Sequence, residues 1–212
     1  MSATLSSTSL QPSTGRAPAP LVVVLAAWLA AVLALGASGA FMAPPHTPPL
    51  ALLIAFVAPL AVGISAYRMS ARFREWVLGI EPRVFVSLQS WRFAGFSFIA
   101  LYAHGILPGF FAWPAGLGDM AIGATAPLIL GRLTQSPAFA SSRAFVRWNL
   151  FGLADLFLAI SLGAIGGFLL SDRPVTTAPM ATLPLVLIPA FLVPSFILMH
   201  FAALAQVRRR AA

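Results

Sequence analysis

Residues 50–67 read LALLIAFVAPLAVGISAY, and residues 68–83 that follow read RMSARFREWVLGIEPR. The first stretch has no charged side chain, and the second carries Arg68, Arg72, Arg74 and Arg83. An apolar run of this length is close to the ~20 residues an α-helix needs to cross the hydrocarbon core of a bilayer. The abrupt change to arginine marks where that core ends. The rest of the chain agrees. Of its 212 residues, 59% are hydrophobic and only 8% charged, with a mean hydropathy of +0.91. Soluble domains carry about 25% charged residues, and no soluble fold of this size hides so much apolar side chain. The fold class expected is an all-α integral membrane protein.

Five more apolar segments flank the first, giving spans at 21–41, 50–67, 85–106, 110–131, 147–170 and 182–206. Residues 21–212 then form a single six-helix domain. Residues 1–20 (MSATLSSTSLQPSTGRAPAP) hold too little apolar surface to fold and are expected to be a disordered tail. The ASGA at 37–40 looks like a signal cleavage site. The run before it is too long and its leading region carries only Arg16, so a retained helix is expected.

Arginine is concentrated in alternate loops. Loop 132–147 holds Arg132, Arg143 and Arg147, and the tail ends in Arg208, Arg209 and Arg210. Loops 42–49 and 107–114 hold none, and 171–181 pairs Arg173 with Asp172. An excess of arginine marks the cytoplasmic side, so six crossings with both termini inside the cytoplasmic membrane are expected. All 13 cationic residues are arginine, and the net charge is +8. The concentration of arginine in loops makes those residues orienting groups on a lipid bilayer rather than a nucleic-acid surface. The absence of cysteine excludes disulfides and thiolate chemistry. In 68–83, Phe73, Trp76, Val77 and Ile80 recur at helical spacing between charges, which predicts a short helix on the inner surface.

Helices 1 and 2 contain no ionisable residue, whereas helices 3 to 6 contain Gln89, Arg92 and His104, then Asp119, then Asn149 and Asp155, then His200. An ionisable group inside a bilayer costs several kcal/mol unless paired or hydrated, and is a functional candidate by default. Counted from the nearest cytoplasmic arginine at ~1.5 Å per residue, Arg92 lies ~13 Å deep, Asp155 ~12 Å and His200 ~12 Å. Asp119 lies ~20 Å from Arg132 on the same count, within reach of arginine's long stem. Gln89 and Asn149 fall nearer the inner edge. The expectation is one polar site made by Arg92, Asp119, Asp155 and His200, with Gln89 and Asn149 at its mouth, serving a substrate or proton pathway. Arg92 would bind an anionic group or act as counter-ion.

No cofactor or metal is expected. His104 and His200 lie at opposite depths and cannot share a haem iron, and no dense ligand cluster is present. His46 sits in an outer loop and is expected to be merely solvated. Helix 6 repeats Pro184, Pro189 and Pro194, each of which leaves a carbonyl one turn earlier without its donor. Gly163 and Gly167 form a small-xxx-small pair suited to close helix packing.

The stretch Gly116-Leu117-Gly118-Asp119 resembles the Gly-x-Gly-Asp motif of presenilin-like and prepilin-peptidase-like intramembrane proteases, and Pro189-Ala190-Phe191 is similar to their Pro-Ala-Leu motif. The resemblance implies that Asp119 and Asp155 would be a catalytic pair sharing one proton. The sequence departs from that pattern. Asp155 follows the motif instead of preceding it, Ala154 stands where presenilin-like enzymes have tyrosine, and Arg92 opposes proton sharing. Gly116, Asp119, Gly123 and Ala126 also form one helical stripe, along which a neighbour could approach closely. The function expected is a small-solute transporter or permease-like protein, proton-coupled through an aspartate or histidine, with a homodimer completing the pathway. The alternatives are an intramembrane aspartyl protease and a non-catalytic structural or accessory subunit.

Overall fold

The computed structural model describes residues 19–211, all of whose regular elements are helical. The expected disordered tail lies outside the described residues, except that Ala19 and Pro20 already begin α1 (Ala19–Ala37). Proline suits that first turn, because its missing N–H would have had no partner there. The other helices are α2 (Leu50–Met69), α3 (Ala71–Gly79), α4 (Pro82–Gln89), α5 (Phe96–Ala103), α6 (Gly109–Gln135), α7 (Arg143–Ala164) and α8 (Val193–Ala211).

Five helical stretches are long and apolar enough to cross a membrane: Ala19–Ala37, Leu50–Met69, Pro82–Ala103, Arg143–Leu169 and Ile188–Arg210. The molecule is a multi-pass membrane protein. With 27 residues, α6 has the length to cross. Its glycines, prolines and Asp119 dilute its apolarity, and its neighbours α4, α5 and α7 pack around it.

The arginine-bearing segments gather at one end. Gln206 of α8 donates to the carbonyls of Val77 (3.0 Å) and Ile80 (2.7 Å), which pins the end of α3 against α8. The amphipathic spacing of 68–83 has formed α3, capped by Ser70, whose hydroxyl accepts from the Phe73 amide. The arginine-poor loops meet at the opposite end. There His46 is not simply solvated: its Nε2 lies 2.8 Å from Asp172 Oδ1 and its Nδ1 3.2 Å from Ser171 Oγ, tying the α1–α2 loop to the loop after α7.

Within the expected spans, three stretches depart from plain α-helix. Between α4 and α5, Ser90–Gly95 winds as a 3-10 helix, a tighter coil than the expected α-helix. A six-residue run is long for that form, and it lies in the glycine stripe of α6. A Cβ on Gly123 would fall on the backbone of Phe93 and Arg92, and one on Gly116 would come within 3.0 Å of the Gly95 carbonyl. The neighbour expected along that stripe is this 3-10 segment. The expected outer loop 107–114 is shorter than its bounds: Pro114 lies inside α6, whose N-cap is Pro108.

The last span starts later than expected. Residues 182–186 form a bend and turns, and the helix begins at Leu187 with a π turn over Ile188–Leu192. The prolines explain this. Pro194 has no N–H to give to the Ala190 carbonyl one turn before it. That carbonyl is taken instead by the Trp28 indole N–H at 3.2 Å, with the Trp28 ring 4.5 Å from Phe191. By leaving that carbonyl bare, Pro194 creates the acceptor that docks α1. A second π turn, Ile165–Leu169, ends α7. Gly163 and Gly167, expected to mediate helix contact, line a cavity instead, while Gly166 is the residue closed off by Thr177 and Phe110.

Candidate functional site

The tight coil of Ser90–Gly95 brings Arg92 to the centre of the bundle, with its side chain wholly buried. Its Nε donates to Asp119 Oδ1 at 2.6 Å, and Nη2 donates to Asp155 Oδ2. Nη1 lies 3.2 Å from His200 Nε2 and 3.4 Å from the Gly152 carbonyl. One guanidinium therefore joins α6, α7 and α8. Arginine suits this because its planar fork carries five donors in fixed directions.

Since arginine only donates, His200 Nε2 must accept. The ring proton then sits on Nδ1, which donates to Asn149 Oδ1 at 2.9 Å. Asn149 Nδ2 passes the chain on to the Phe145 carbonyl, also at 2.9 Å. Asn149 is thus the group that orients His200, rather than a lining residue at an inner mouth. Trp148 closes over the histidine edge-on, with ring centroids 5.8 Å apart, and anchors its own indole N–H on Thr125 Oγ1 at 2.9 Å. Gln89 is buried but does not touch the cluster. Its Nε2 reaches the Phe196 carbonyl at 3.5 Å, and its Oε1 finds no partner among the described residues.

The glycines around the site are spaces that charged groups occupy. A Cβ on Gly118 would overlap the Asp155 carboxylate, one on Gly152 the His200 ring, and one on Gly95 the Cβ of Asp119. The GLGD stretch is glycine-rich because the ion cluster and the 3-10 segment press against it. Asp119 and Asp155 are joined by the guanidinium of Arg92 rather than by a shared proton, unlike the catalytic pair that the protease resemblance implies.

Charge counting sets what the cluster can do. Arg92 brings one positive charge, Asp119 and Asp155 two negative, and His200 is neutral in this hydrogen-bonding arrangement. One carboxylate exceeds the cations, and a buried unpaired charge is expensive. The excess is met by a proton or by a cation from outside. The two carboxylates differ in access: the Asp119 side chain is 16% exposed and that of Asp155 5%.

Asp119 faces two cavities. One, of about 430 Å³, opens toward the arginine-poor end between the α1–α2 loop, α7 and residues 177–182. The other, of about 550 Å³, lies toward the arginine-rich end between α1, α3, α4, the 3-10 segment and α8. Asp119, Phe98, Leu156, Ile188 and Val193 line both. Four apolar side chains and one carboxylate thus form the wall where the cavities meet. His104 caps α5 at the arginine-poor end, exposed and away from the cluster.

An all-helical membrane protein with an arginine holding two aspartates between opposed cavities is the class that fold and site define. Residues 49–208 match the model of a family described as Domain of unknown function (DUF8737), and the chain belongs to that family. The match takes in every residue of the cluster and leaves α1 outside it. No curated protein and no solved structure matches the chain.

Proposed function

We propose that this chain is a small transporter or permease-like protein of the cytoplasmic membrane, crossing six times with both termini inside. In this reading it moves a small solute coupled to a proton held by the Asp119–Asp155 pair. One observation carries it: Asp119 stands where two cavities directed to opposite ends of the molecule meet. A transporter needs a single site reached alternately from either side, at mid-depth and beside interrupted helices. The 3-10 segment and the π turn before α8 are interruptions of this kind, and each contributes to the shared wall or borders it. Arg92 acts as counter-ion and anchor, since its donors are committed to protein groups. A purely structural cluster would have no use for cavities on both sides of one carboxylate.

The chain has no cysteine, so single cysteines can be introduced without background. Ala159 lines only the cavity at the arginine-poor end, and Ser195 only the one at the arginine-rich end. In sealed vesicles, Ala159→Cys is expected to react with a membrane-impermeant thiol reagent from the non-cytoplasmic side alone, and Ser195→Cys from the cytoplasmic side alone. Conditions that speed one should slow the other. Access to both from the same side, or to neither, would sink the transport reading and favour a structural subunit.

A further inference from the structure

We propose that the solute is a hydrophobic organic cation, a protonated amine or quaternary onium ion, which seats its charge at Asp119 and exchanges there with a proton. This rests on the transport reading and names its substrate class. Arg92 is unsuited to receive an anion. Its side chain is wholly buried, and Nε, Nη1 and Nη2 are engaged by Asp119, by His200 with Gly152, and by Asp155. The group that faces open space is Asp119. Its Oδ1 accepts from Arg92, and its Oδ2 accepts no hydrogen bond among the described residues. The cluster as a whole is short of one positive charge. The partner that suits it therefore brings one.

The walls decide what kind of cation. The larger cavity is lined by Trp28, Trp76, Trp91 and Phe98, with Asp119 at its inner end and the buried Arg92 guanidinium over the Phe196 ring, 6.0 Å from its centroid. A metal ion would lose its hydration shell there and gain one carboxylate, far short of the six or more oxygen ligands that hard cations demand. An organic cation spreads its charge over carbon, keeps little hydration, and is attracted to aromatic faces. Trp91 is 75% exposed on the lipid-facing side of the cavity, which opens a lateral route from the bilayer for an apolar solute. The groups facing Asp119 are Arg92 from the 3-10 segment, Asp155 from α7 and, through Arg92, His200 from α8. A proton and the cation compete for the same unpaired carboxylate charge.

The test is equilibrium dialysis of the detergent-purified full chain with tetraphenylphosphonium, set against tetraphenylborate, which has nearly the same shape and the opposite charge. Tetraphenylphosphonium should bind, should release protons into weak buffer as it does so, and should bind more weakly as the medium is acidified. Asp119→Asn should weaken it about tenfold or more, as loss of a charged partner does. Ala94→Phe, which narrows the cavity without touching the cluster, should also weaken it. Tetraphenylborate should bind less tightly and be no weaker in Asp119→Asn. Equal binding of the two ions, or tetraphenylphosphonium binding by wild type that Asp119→Asn and acid both leave unchanged, would overturn the assignment. So would absence of binding by folded wild type. Reciprocal cysteine access with no tetraphenylphosphonium binding would discard the cation and leave transport standing, whereas access to both cysteines from the same side would discard transport whatever binds.

Discussion

Arg92→Gln is expected to cost about 3–5 kcal/mol, the usual penalty when one partner of a buried ion pair is removed and the other charge stays behind. Here two carboxyl groups stay behind. Asp119 and Asp155 would share the interior with no cation, and His200 Nε2 and the Gly152 carbonyl would lose their donor. Folded proteins hold only about 5–15 kcal/mol in reserve, so poor yield and a much lower thermal midpoint should follow. Arg92→Lys should recover only part of the loss, because one ammonium cannot address partners on three helices in fixed directions. The informative variant is the triple change Arg92→Gln, Asp119→Asn, Asp155→Asn. It removes all the charges together and should regain most of the stability while losing proton-linked behaviour. Unfolding followed by circular dichroism in mixed micelles checks this. An Arg92→Gln protein as stable as wild type would show that the guanidinium does not balance the carboxylates.

Gly123→Ala carries the second large effect. The added methyl would fall on the backbone nitrogen and Cα of Phe93 and on the carbonyl carbon of Arg92. Backbone atoms cannot swing aside as a side chain does, so α6 and the 3-10 segment must separate. Overpacking of this kind costs about 1–3 kcal/mol. The same displacement would pull Arg92 from Asp119, so binding should fall along with stability. Gly131→Ala, on the same helix, meets nothing within 4 Å and should be neutral or stabilising by up to about 1 kcal/mol, as alanine is the better helix former. Similar melting curves for the two variants would show that α6 and the 3-10 segment do not cross so closely.

The contrast between these glycines shows what sequence alone conveys. The stripe of Gly116, Asp119, Gly123 and Ala126 announced a close neighbour, because only its spacing mattered. It could not say that the neighbour is a 3-10 coil, since SWRFAG holds no proline and its one glycine, Gly95, comes only at its end. Counting depth placed Arg92, Asp155 and His200 at one level because helical rise is regular. The same count set Asp119 deeper, and the length of the arginine side chain closes that gap. The role of Asn149 was present in the sequence as the i, i+3, i+6 series Asn149, Gly152, Asp155, which puts all three on the face of α7 toward the cluster. The repeated prolines foretold bare carbonyls but not that Trp28, 162 residues before Ala190, would fill one. Nor does any local signal link His46 to Asp172, which are 126 residues apart. Periodicity and depth are carried by single helices and can be read. Partners brought together by the chain's global path cannot.

In the proposed transporter the cluster has one carboxylate too many, and Asp119, not Asp155, presents it to the cavities. A hydrophobic carbodiimide reacts with a protonated carboxyl in an apolar setting, and the adduct can be located by mass spectrometry. A single adduct is expected, on Asp119, that diminishes when tetraphenylphosphonium is added and is absent from Asp119→Asn. An adduct on Asp155 alone, or a wild-type protein that remains unmodified while folded, would contradict it.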